Sequence, residues 1–207
     1  MNMSDRFAGL KKIPKDPAMR HLALANMRLD TVPETPASAP VEQVLAALDA
    51  KGAWLDMLRL LAAALPPRER VWWGCLAAED TIPDPSSPPP PLAAARAWVF
   101  KPNDETRDRA RQAAELAEFD DDTVLCATAV AMHDGKLGTG DLAAYDAPVG
   151  VSAMSILGVN LVSLGTADAP DFEAHQTRLI DRALDIARGG NGRLGDAPVA
   201  GTEDGTP

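Results

Sequence analysis

Residues 93–138 read AAARAWVFKPNDETRDRARQAAELAEFDDDTVLCATAVAMHDGKLG, and this stretch decides the fold class. The alanine-rich run through Trp98 and Val99 is helical, and Pro102 stops it, because proline lacks an amide hydrogen and its ring clashes with the preceding turn. Asn103 or Asp104 then caps a second helix, with Glu105 in the first turn where the helix dipole favours negative charge. Ala110, Ala113, Ala114, Leu116 and Ala117 give that helix a face of mostly small side chains, which permits close helix approach. Asp120, Asp121 and Asp122 precede a third apolar run, Val124–Met132, closed by His133-Asp134-Gly135. Three helices separated by such short breaks must fold back on one another.

The same punctuation extends outward. Val41, Val44, Leu45 and Leu48 form an i, i+3, i+4, i+7 stripe that faces a core, with Ser38 as a cap and Pro40 in the first turn. Trp54, Leu55, Leu58, Leu61 and Leu65 continue a helix to Pro66-Pro67, and Trp72, Trp73 and Leu76 carry the apolar side of the next. Thr81–Pro91, with six prolines, is a linker. Asp134–Gly150 is a glycine-rich loop. Val151–Leu164 is apolar and β-branched enough to suit helix or strand; its length and its helical neighbours favour helix. Pro170 opens a last helix that Gly189-Gly190 closes.

Composition agrees. Hydrophobic residues make up 46% of the 207 residues but aromatics only 4%, a balance that suits close helix contacts better than a sheet. The expectation is an all-α domain over 40–190, an irregular bundle or helical-hairpin stack of about seven or eight short helices. A flexible N-terminal arm and linker over 1–39, including a short helix over Pro17–Arg28, and a disordered tail over 191–207 complete it.

A net charge of −10 works against nucleic-acid binding, which needs clustered Lys and Arg. No run approaches the roughly 20 apolar residues of a membrane span. Met1–Lys15 lacks the apolar segment of a secretory signal, and Cys75 and Cys126, set in apolar helical runs, read as buried free thiols of a reducing compartment. The chain is therefore expected in the cytoplasm.

Candidate chemistry is sparse. His21, His133 and His175 share no metal-binding spacing, and no Cys-x-x-Cys exists, so neither metal nor cofactor is expected. His133-Asp134 is the best catalytic candidate, with Asp134 or Asp141 orienting a histidine base; a helix end followed by ordinary Asp-Gly turn chemistry accounts for the same residues. Gly135–Gly140 fails the order of a phosphate loop. Trp72, Trp73 and Trp98, with His133, Asp134 and Lys136, are the candidate interaction residues, since exposed aromatics make good anchors; at helical spacing beside Leu76 and Val99, such tryptophans are more often core.

Trp98 with Pro102, Glu105 and Arg107, then Ala110 and Ala113-Ala114, His133–Leu137, Pro148-Val149, and Phe172 with Leu184, Ile186, Ala187 and Gly189 resemble an uncharacterised bacterial family of small helical proteins that often accompany type VI secretion genes. The resemblance implies an accessory or adaptor role in secretion and carries over no catalytic residue. The leading expectation is thus a non-enzymatic adaptor or chaperone with a protein partner. The alternatives are a small hydrolase using His133 with Asp134 or Asp141, and a helical domain that senses a small molecule in an apolar cavity.

Overall fold

The computed structural model describes residues 6–194. Among these residues there are nine α-helices and no strand: α1 (Ala18–Leu24), α2 (Val41–Asp49), α3 (Trp54–Ala64), α4 (Pro67–Glu79), α5 (Pro90–Phe100), α6 (Asp104–Glu115), α7 (Val124–Ala131), α8 (Val151–Gly165) and α9 (Phe172–Arg188). Two short 3-10 turns, Gly140–Ala144 and Ala169–Asp171, lie in the connections. The all-α class and the irregular bundle expected from the punctuation are what the chain adopts.

The breaks act as their chemistry dictates. Asn103 is the cap of α6: its side chain accepts from the Thr106 amide at 2.9 Å while the Thr106 hydroxyl accepts from the Asn103 amide. Pro67 occupies the first turn of α4, where a missing amide hydrogen is harmless. The start of α2 differs from expectation, because Pro40 holds the cap position and no side chain caps it.

Helices α4 and α8 form the centre. α4 packs against α5, α7, α8 and α9, and α8 against α3, α4, α7 and α9. This placement explains why Val151–Leu164 resisted a periodicity reading. A helix covered on most sides needs apolar residues nearly all round, and Ala153, Ile156, Leu157, Val159 and Leu164 are all buried. The α4–α8 crossing is close at Gly74, where an added Cβ would lie 2.5 Å from Ile156 Cδ1 and 3.3 Å from Val159 Cγ1.

The first segment departs from the expected arm. Phe7, Leu10, Ile13, Ala18 and Leu22 are buried in the common core. The Lys12 amide donates to Ala187 O at 2.8 Å, and Arg6 pairs with Asp49 at 2.8 Å and Asp181 at 2.9 Å, which straps the segment across α2 and α9. Residues 6–39 are therefore part of the packed body, because their apolar side chains, too few to signal a core in a segment broken by prolines, find their cover only in the fold. At the other end, Trp72 Nε1 donates to Asn191 O at 2.7 Å, which holds the start of the expected tail on α4. The remainder of that tail, 195–207, lies outside the described residues.

Candidate functional site

The end of α7, the loop after it and the first turn of α8 meet α1 and the α3–α4 corner around a cavity of about 600 Å³. That volume falls in the range of small-molecule and peptide-anchoring pockets. Its wall includes Pro14, His21, Leu24 and Ala25 from the first segment, Ala63–Pro67 and Arg70 from the corner, Met132–Gly135, and Asp146–Ala153. Gly150 lets these parts meet. It sits at φ +79°, and a Cβ there would overlap the Ala25 carbonyl, so glycine is required both for the backbone turn and for the approach of α1.

The polar groups of the wall fall into two kinds. Asp134, beside the catalytic candidate His133, is held by Arg107: Nη1 and Nη2 donate to its two oxygens at 2.7 and 2.6 Å, and Arg107 Nε donates to Ala131 O at 2.8 Å. This bidentate pair, with Arg107 buried, pins the loop to α6 and holds the Asp134 carboxyl below its usual range, against the opposing effect of its own partial burial. Asp146 is likewise paired, with Lys136 Nζ at 2.6 Å. Lys136 thus closes the loop on itself.

His133 and Arg70 are of the other kind. The His133 ring packs against Trp98, centroids 4.8 Å apart and planes inclined at 41°, and makes no hydrogen bond to any described residue. Burial first, and then the guanidinium of Arg107, push its pKa below the ordinary histidine value; Asp134 and Asp104 oppose this and Arg70 adds to it. This surrounding favours the neutral imidazole over the charged form that a helix C-terminus would otherwise draw. Arg70 Nη2 donates to Leu65 O at 2.8 Å and Ala63 O at 3.3 Å at the end of α3. Its Nε is buried without a partner, and no described carboxylate pairs with it. Burial lowers its pKa to about 10.

The other candidates separate. Trp73 is fully buried, with Nε1 donating to Leu179 O at 2.9 Å, and Trp98 is only 4% exposed, so both are core residues rather than partner anchors. Trp72 is partly exposed and covered by Phe100, Arg193 and Asn191. Asp141 lies on the exposed 3-10 turn Gly140–Ala144, outside the cavity wall, and is not brought to His133. The triple-aspartate run serves the chain locally: Asp121 accepts from the Thr123 amide and hydroxyl, and among the described residues no cluster has the makings of a metal site.

One constellation escaped the sequence reading. Ser163 Oγ lies 2.8 Å from His175 Nε2 and 3.4 Å from Asp80 Oδ2, and Asp80 is clamped by Arg182. The residue types match a hydrolytic triad, but the order does not. Asp80 approaches the same ring nitrogen as the serine, 3.9 Å away, instead of orienting the opposite one. Ser163 is fully buried. The group ties the ends of α4 and α8 to α9. No spacing rule links residues 80, 163 and 175, which only the packing unites.

The fold and the cavity define an all-helical protein whose cavity wall carries one cation without an ionic partner among the described residues. The chain belongs to the family of unknown function DUF6931, whose model matches residues 44–187 and so includes Arg70, Arg107, His133 and Gly150. Comparison with curated proteins and with solved structures yields no match. No helix among the described residues is long and apolar enough to cross a membrane.

Proposed function

We propose that the protein is a non-enzymatic interaction protein and that the α1–α4–α8 cavity receives its partner. One observation carries this reading. The acid beside His133 is tied to Arg107 while the cavity mouth carries strongly exposed apolar side chains, Leu24 at 69% and Val149 at 68%. Polar groups committed to structure and an apolar rim open to solvent suit recognition better than proton transfer. The resemblance to a family that accompanies type VI secretion genes extends the proposal to an adaptor or chaperone of that machine, acting in the cytoplasm.

A photo-crosslinking amino acid placed at Val149 in the full chain, in its native host, tests it. Phe119, exposed on the α6–α7 loop, serves as the control position. Adducts at position 149 that contain a secretion component, and none at 119, are expected. Adducts at 149 with unrelated proteins only would remove the secretion role, and adducts at neither position would remove the cavity as a protein-binding surface.

A further inference from the structure

Resting on that reading of the cavity, we infer that its ligand presents a carboxylate attached to an apolar group, seated between Arg70 and His133. The charge balance of the wall is the first argument. Its acids Asp134 and Asp146 are paired with Arg107 and Lys136, so Arg70 is left as the one lining charge without an ionic partner among the described residues. A guanidinium held in a partly dry wall without an anion is costly, and one opposite charge relieves that cost.

The donor inventory is the second argument. Nη2 of Arg70 is occupied by the α3 carbonyls and Nε is sealed, but Nη1 has neither a partner nor full burial. The His133 ring nitrogens are likewise unpartnered, and a neutral imidazole offers one N–H. One guanidinium nitrogen, Nη1, and one imidazole N–H, with a single positive charge, match the two oxygens and single charge of a carboxylate. A phosphate monoester, with about twice the charge and three acceptor oxygens, asks for more donors than these. The first turn of α8, Val151–Ala153, lines the same space and turns the positive end of its dipole toward it. Met132, Val149 and Leu24 supply the apolar surface for the rest of the ligand. An apolar peptide C-terminus and a short branched organic acid share this chemistry.

Calorimetric titration of the full chain with N-acetyl-leucine, N-acetyl-leucinamide, 4-methylpentanoate and inorganic phosphate tests the assignment. Saturable binding of N-acetyl-leucine is expected, with the amide weaker by about tenfold or more. N-acetyl-leucine binding better than 4-methylpentanoate identifies a peptide terminus; the reverse order identifies a small acid; both uphold the carboxylate. Arg70→Gln should abolish the preference for acid over amide. Because Arg70 also holds the end of α3, Val149→Glu provides a second variant, which leaves the core intact and should weaken the acid several-fold by repulsion. Equal binding of acid and amide, binding of phosphate alone, or no saturation by any probe would overturn the carboxylate. None of these results bears on protein adducts at position 149, so this inference and the interaction reading fail separately.

Discussion

Two histidines of this protein each stand beside an aspartate and an arginine, and the two settings have opposite consequences. His175 is 6% exposed, bonded to Ser163, and faces an Asp80 that Arg182 clamps. Every strong group in that cluster points at another member. At the cavity, Arg107 and Asp134 satisfy each other and leave His133 and Arg70 outside the pairing. A Ser–His–Asp grouping that looks catalytic by residue type is closed on itself as a clasp, and a histidine without a hydrogen bond is where we propose a ligand sits. Satisfaction of polar groups, more than their identity, separates the two.

The largest test of this contrast is Asp80→Ala. It leaves Arg182 and Ser163 without their shared acceptor at the junction of α4, α8 and α9, and should cost about 3 kcal/mol by chemical denaturation. An effect under about 0.5 kcal/mol, the level of an ordinary surface change, would show that the clasp is not structural. Next, Gly150→Ala should cost about 2 kcal/mol, since the new methyl overlaps the Ala25 carbonyl and the residue is held at positive φ. Because α1 must withdraw, the same variant should weaken probe binding in the cavity. His133→Ala should cost only about 1 kcal/mol, chiefly the packing against Trp98. A loss as large as that of Asp80→Ala would place His133 among the structural residues and erase the distinction.

The smallest effect is the most discriminating. Burial lowers both histidine pKa values; at His175 Asp80 opposes it and Arg178 and Arg182 add to it. A folded value below the unfolded 6.5 means that the unfolded chain binds more protons below that pH. The stability each neutral ring contributes is therefore complete above about pH 6.5 and declines as the pH falls through the depressed folded value. His175→Gln should flatten this part of the stability–pH curve. Saturating N-acetyl-leucine should raise the pKa of His133, read by NMR, and leave that of His175 in place. Equal movement of both would mean that the ligand acts on the whole fold rather than at the cavity.

Much of the architecture was legible in residue order because the relevant forces are local. Pro102 and Asn103 end and begin helices through their own backbone and side-chain chemistry, and the 41–48 stripe needs only the helical repeat to define its buried face. The cavity was legible only in part. His133 and Asp134 drew notice because they sit at a helix end, but nothing nearby in sequence announced Arg107 as the partner of Asp134 or Arg70 as a lone cation. Trp73 and Trp98 were ambiguous as anchors for the same reason: an aromatic reads alike whether a neighbouring helix or a partner covers it.

Residue order determined that the chain is helical and where most helices break, since propensity and capping act over a few residues. Tertiary packing decided the rest. It enclosed the stretch from Phe7 to Leu22, gave α8 the central position, and brought Arg70 to His133 across 63 positions of chain. Whether a polar side chain is satisfied or available depends on neighbours distant in sequence, and only the folded arrangement supplies them.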